Sequence, residues 1–168
     1  MITKQHAVQT LYWICIFIVS ISMVVYGVAK PFQFESFDKA SNLNVSEGHK
    51  IMWTFYSYTK AYPIIIGIFE VIGGVSLLFN RTRIFGCFIL ITILVNIILQ
   101  DYFYEIVALN SAIFYLILVF IILIIDFKKV RVILTELFKS ARKRNNYLIV
   151  IIAFLIACVI KFYETRMI

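Results

Sequence analysis

The chain has little that breaks or staples a fold. Two prolines and six glycines in 168 residues leave no Pro-rich linker and no low-complexity tail. Three cysteines, Cys15, Cys87 and Cys158, all fall inside apolar runs, and no C-x-x-C pair occurs. That argues against thiol–disulfide chemistry and for small packing residues. The two histidines, His6 and His49, stand far apart and outside any metal-ligand spacing, so no metal site is expected. No phosphate-cradling glycine loop and no nucleophile motif appears. No catalytic residue is assigned, and the chain does not read as a standalone enzyme. Charge is scarce too. Charged residues make up 15% of the chain against 62% hydrophobic, and mean hydropathy is +0.95. Soluble domains run at roughly 45–50% apolar. A soluble domain of this length lacks the interior to hide so much apolar surface. The expected solvent is lipid.

What is present is a set of five apolar runs, at about 7–29, 62–79, 84–100, 106–126 and 147–162. A spanning helix needs roughly 17–25 residues. The runs are apolar all round, as lipid-facing or buried helices are, whereas spanning strands alternate apolar with polar. The fifth run is the shortest, and a tilted or half-inserted helix is its alternative. The first is too long for a signal-peptide core and no small-residue cleavage site follows, so it is expected to be retained. The expectation is an all-α integral membrane bundle in a single domain, 1–168.

Net charge is +7, from 16 Lys and Arg against nine Asp and Glu. The excess is concentrated between apolar runs, which favours a membrane surface over nucleic acid as the partner. Lys4, the Asn80-Arg81-Thr82-Arg83 turn and the segment 127–146 belong on one side, expected to be cytoplasmic. The loop 30–61, a short turn holding Asp101 and Glu105, and the carboxyl end belong outside. Within 127–146, Val130, Ile133, Leu134, Leu137, Phe138 and Ala141 recur at helical steps. Lys128, Lys129, Arg131, Lys139, Arg142, Lys143 and Arg144 occupy much of the remainder. This reads as an amphipathic helix on the inner leaflet, binding anionic lipid. A solvated linker is the plainer alternative. The outer loop is rich in aromatics, among them Phe34, Trp53, Tyr56 and Tyr62, and is expected to fold short helices over the outer mouth.

Glu70 is the ionisable residue deepest in a run. Gly67, Glu70 and Gly74 share one helix face, where glycines admit a neighbouring helix. A charge at membrane depth is costly and calls for a partner. Two polar stripes accompany it: Ser22, Tyr26 and Lys30 on the first run, and Thr92, Asn96 and Gln100 on the third. Such stripes are commonly glue between helices. Here Tyr26, Lys30, Glu70, Asn96 and Gln100 all fall in the outer half, which suggests a shared ligand or proton site.

These residues carry a resemblance. Tyr26-Gly27-Val28-Ala29-Lys30 resembles the G-x-x-K that closes the first helix of the DoxX family. The stretch Gly67 to Leu78 is similar to its G-x-x-E-x-x-G-G-x-x-L-L second helix. Asn96 to Glu105 is similar to an N-x-x-x-x-x-x-x-Y-D stretch, with Glu105 in place of Asp. The following Ile106-Val107-Ala108-Leu109 departs, lacking a Pro and a Lys. The resemblance covers about residues 8–130 and points to the DoxX/MauE neighbourhood. It implies a four-helix core, with the fifth run an addition, in a bacterial inner membrane. It also implies an accessory or anchoring subunit of a quinone-linked redox system, with a membrane or redox protein as partner and quinone as the one cofactor suggested. The alternative reading of the residues is a small transporter or lipophilic-ligand binder using Glu70.

Overall fold

A computed structural model describes residues 4–34, 45–139 and 146–167, the last three by backbone alone. The described residues form seven helices and no strand. They are α1 Lys4–Gln33, α2 Glu47–Ser57, α3 Ala61–Leu78, α4 Arg83–Phe103, α5 Leu109–Ile125, α6 Phe127–Leu137 and α7 Tyr147–Met167. The two prolines fall where a helix tolerates them: Pro63 in the first turn of α3, Pro31 in the last turn of α1. The chain divides into two compact units, Met1–Ile133 and Leu134–Ile168.

The first unit is a ring of four helices. α1 packs on α3 and α5, and α4 packs on the same two. Short turns join α3 to α4 and α4 to α5, which makes those neighbours antiparallel. The α1–α3 contact is the closest. A Cβ on Gly27 would lie 2.5 Å from the Gly67 carbonyl oxygen, so nothing larger than glycine fits that crossing. The centre is filled by Ile16, Val19, Leu77, Leu90, Val119 and Ile122, all at or near complete burial. The outward faces are also apolar: Ile21, Val25, Ile65, Ile68 and Ile117 are exposed. Among the described residues, the buried polar or charged side chains are Ser20, Glu70, Arg83 and Asp101. Apolar outside with charge inside is the arrangement lipid demands.

α1, α3, α4 and α7 are long and apolar enough to cross a membrane. α5 reaches that length only together with α6, from which it is bent by 82° at Asp126. In the second unit, α7 exposes every described side chain along its length.

Three boundaries differ from those expected. The third span, expected to stop at Gln100 with Asp101 in an outer turn, runs on to Phe103. Its end is a Schellman turn: Ile106 N–H donates to the Asp101 carbonyl at 2.8 Å, with Glu105 in the left-handed region at φ 56°. The basic segment forms helix over Phe127–Leu137, and Arg142, Lys143 and Arg144 lie outside the described residues. In the segment 30–61, expected as an outer loop, α1 occupies the start as far as Gln33. α2 forms the one helix described beyond it, capped by Ser46, whose hydroxyl accepts from His49 N–H at 3.2 Å. α2 is fastened by Met52 and Tyr56, buried with Phe34 and Ile106.

Candidate functional site

The Gly27–Gly67 crossing sets up the site. It brings the Lys30 stem to 3.2 Å from the place a Gly67 Cβ would occupy, and the Glu70 Cβ equally near that of Gly27. Lys30 then reaches across, its Nζ 3.3 Å from Glu70 Oε1. Glu70 is 1% exposed. Lys30 also lies 6.0 Å above the Phe34 ring, within reach of a cation–π attraction.

Around this pair is a cavity of about 480 Å³ between α1, α2, α3, α4 and α5. That is within the range of roughly 300–1,000 Å³ typical of small-molecule sites. Its walls are mostly apolar, with Met23, Ile66, Ile93, Leu94 and Ile97 among them. Tyr26, Lys30, Glu70, Asn96 and Gln100 all line it. Their roles differ. Glu70 and Lys30 form the ion pair. Gln100 accepts from the Tyr56 hydroxyl at 2.6 Å. Burial pushes the Tyr56 phenol up to about 12, so it stays a donor at any physiological pH. Tyr26 is 43% exposed and its hydroxyl faces that of Tyr115 at 3.4 Å. Asn96 is exposed, at the rim. The exposed Tyr26, Thr92, Asn96 and Ser111 make that rim polar.

Asp101 is the residue that sequence reasoning missed. It is 2% exposed and lines the cavity. The signal was available: Leu90, Leu94, Ile97 and Asp101 follow one helical face, the face that points inward. The stripe of Thr92 and Asn96 lies on an exposed face instead. Among the described residues, Glu70 Oε2 and Asp101 Oδ2 are buried with no hydrogen-bond partner.

A second charged cluster closes the opposite end of the ring. Arg83, 3% exposed, donates from Nε to the Leu77 carbonyl at 2.6 Å and from Nη2 to the Leu78 carbonyl at 3.3 Å. These are terminal carbonyls of α3, where a cation is favoured by the helix dipole. Its Nη1 donates to the Tyr12 hydroxyl at 2.8 Å, and Tyr12 donates to Asp126. The guanidinium also lies 5.2 Å from the Tyr12 ring and 5.1 Å from that of Trp13. Lys129 holds Asp126 at 3.3 Å and donates to Asn80 Oδ1 at 2.5 Å. Lys128 and Arg131 are exposed on α6, and Lys139 pairs with Glu136 at 3.3 Å.

No group of three metal-ligating side chains occurs among the described residues. No family model matches the chain, and no solved structure matches it. The DoxX resemblance therefore rests on its short motifs. The chain is similar to the uncharacterized protein YwoB of Bacillus subtilis (strain 168), 33% identical over 107 residues. The match covers 62% of this chain and 70% of that protein. That relative's name carries no activity. At this identity and coverage, the chain belongs to the YwoB family.

Proposed function

We propose that the protein is a multi-pass membrane protein that binds a small amphiphilic molecule in the cavity around Glu70, as a lipophilic-ligand binder or a small transporter. The observation that carries this is the Lys30–Glu70 pair, 3.3 Å apart, set at the wall of an apolar cavity. A buried pair kept only for packing would be enclosed, because each open polar oxygen costs free energy. Here the pair meets space for a ligand, and the polar rim of Tyr26, Asn96 and Ser111 offers a way in. Orientation follows from charge. Lys4, Arg81, Lys128 and Lys129 gather at one end of the ring, which we assign to the cytoplasmic face of a bacterial inner membrane, with anionic headgroups beside α6.

The test is purification in a gentle detergent, followed by extraction and mass spectrometry of retained small molecules. The expected result is a defined amphiphile that is absent from an Ala112→Phe variant, in which the larger ring intrudes on the cavity. Equal retention by both chains would refute the cavity as its site. The accessory reading, with a quinone-linked redox partner, draws on the DoxX resemblance and on α7, whose exposed apolar length offers a surface to lipid or to a partner helix. A redox protein retained in stoichiometric amount, with an empty cavity, would favour that reading.

A further inference from the structure

The cavity is unbalanced in charge. Two carboxylates, Glu70 and Asp101, line it, and Lys30 is the one cationic side chain among its described lining residues. With all three ionised, one negative charge is uncompensated. The imbalance is also one of hydrogen bonds. Glu70 spends Oε1 on Lys30, while Glu70 Oε2 and Asp101 Oδ2 have no partner among the described residues. An ionised carboxylate is an acceptor only, so what these oxygens lack is a donor. Leaving them so in low dielectric is costly, and more so at membrane depth.

The lining narrows what can supply that donor. A bare metal ion would leave most of about 480 Å³ unfilled, and the described residues offer no third carboxylate, imidazole or thiolate beside the two carboxylates. A quinone offers acceptors and no donor, so it leaves both oxygens as they are. A quinol or an alcohol donates but brings no charge. An organic ammonium ion brings both. The walls suit it as well: Tyr26, Phe34, Trp53, Tyr56, Tyr62 and Tyr115 present aromatic rings, which attract organic cations. Lys30 already lies over Phe34, so one cation is held in this way within the site.

We propose that the cavity binds a lipophilic organic ammonium ion carrying at least one N–H, its head on the Glu70 and Asp101 side of the wall and its chain along Ile93, Leu94 and Ile97. This rests on the amphiphile-binding reading above and names the class of ligand. Two charge-assisted hydrogen bonds supply the selectivity, and the apolar wall supplies affinity common to any chain of the same length.

Four probes of one chain length separate the two ideas: octylammonium, 1-octanol, octanoate and octyltrimethylammonium. Each is titrated at neutral pH into the full chain in nanodiscs of zwitterionic lipid, with empty discs subtracted. The expected result is octylammonium binding at least about tenfold tighter than octanol or octanoate, the effect of one charged hydrogen bond. It should also outbind the quaternary probe, which has no N–H. Asp101→Asn should abolish the preference of octylammonium over octanol. Octanol or octanoate binding as tightly as octylammonium would overturn the ammonium assignment, as it would if a proton held between the carboxylates had already neutralised the site, while amphiphile binding would stand. A quaternary probe that equals octylammonium would overturn the N–H requirement. No binding by any of the four would overturn the amphiphile reading itself. Should Asp101→Asn fail to fold, the ranking of the four probes on the unaltered chain decides alone.

Discussion

The two ends of the four-helix ring treat buried charge in opposite ways. At the Arg83 end the cation is consumed. It caps two carbonyls of α3, bonds Tyr12 and stacks on two rings, while Asp126 is held by Tyr12 and Lys129. A hollow of about 430 Å³ adjoins this end, lined by Asn80, Arg81, Lys128 and Lys129 but by neither Arg83 nor Asp126. At the Glu70 end two buried carboxylate oxygens lack partners among the described residues, and both side chains belong to the wall of a cavity. Satisfied polar networks fix a structure, whereas unsatisfied groups mark a place where something else binds. With the proposed binding site at the Glu70 end, the same ring carries a latch at one end and a receptor at the other, and substitutions should tell them apart.

The largest effect is expected at the latch. Arg83→Met keeps much of the aliphatic bulk but removes three hydrogen bonds and the charge. Asp126 then loses its indirect counter-charge and the α3 carbonyls lose their cap. Breaking a buried charged network by one partner costs about 3–5 kcal/mol. Reversible unfolding in mixed micelles should show a loss of that size, with probe binding in the remaining folded fraction unchanged. A loss below about 1 kcal/mol would mean the cluster is no latch.

The pair at the cavity should behave otherwise. Lys30→Met alone strands Glu70 and should cost about 3 kcal/mol, the lower end for a broken buried pair, since Lys30 keeps some exposure. Adding Glu70→Leu should recover most of it, because an apolar pair of similar volume is often as stable as the ions. The double variant should fold well and bind ammonium at least about tenfold more weakly, since one of the two charged hydrogen bonds is gone. Recovery of stability together with undiminished binding would remove the pair from the site. Failure to recover would make it structural, like Arg83.

How far these two ends could be read from sequence depends on what each residue's neighbours reveal. The helices were legible because they coincide with long apolar runs, and α3 was legible down to its inward face because Gly67, Glu70 and Gly74 share it. The Arg83 latch was not. In sequence Arg83 is one basic residue in a turn, and its value lies in Tyr12 and Asp126, 71 residues from it in one bond and 114 apart from each other in the next. Asp101 was hidden for a different reason. A carboxylate beside aromatics near a helix end reads as an interfacial turn, and the extra turn of α4 depends on a left-handed Glu105 that favours no side chain. The aromatic content of the segment 30–61 was legible, but not that Phe34 and Tyr56 would stack at 4.6 Å to roof a cavity.

A third substitution tests whether the glycine crossing serves the receptor end. In Gly67→Ala the new methyl meets the Gly27 backbone, so α1 and α3 must part. Overpacking of this kind costs about 1–3 kcal/mol. The parting also draws Lys30 away from Glu70, since both hang from the crossing. Ammonium preference should therefore fall by more than the stability loss alone would give, while the Arg83 network, remote from the crossing, should keep its contribution in a Gly67→Ala/Arg83→Met cycle. Coupling above about 0.5 kcal/mol in that cycle would show that the two ends are one unit.

The smallest effect concerns the cover of the receptor end. His49, on α2, stacks on Trp53 with ring centroids 4.0 Å apart, and Trp53 lines the cavity. Burial disfavours the charged imidazole and holds its pKa below the ordinary value of 6.5. The undocked helix therefore takes up its proton at a higher pH than the docked one. Docking is accordingly strongest above about pH 6.5 and weakens as the pH falls through the docked value. The Arg83 end has no histidine among the partners described for it, so acid should loosen one end before the other. In a Trp13→Phe background the remaining indole reports on α2 alone. Its fluorescence should change as the pH is lowered from about 8 to about 5, and the change should be absent in His49→Gln. An acid transition that persists unaltered in His49→Gln would assign the response to another group and leave α2 a fixed roof over the cavity.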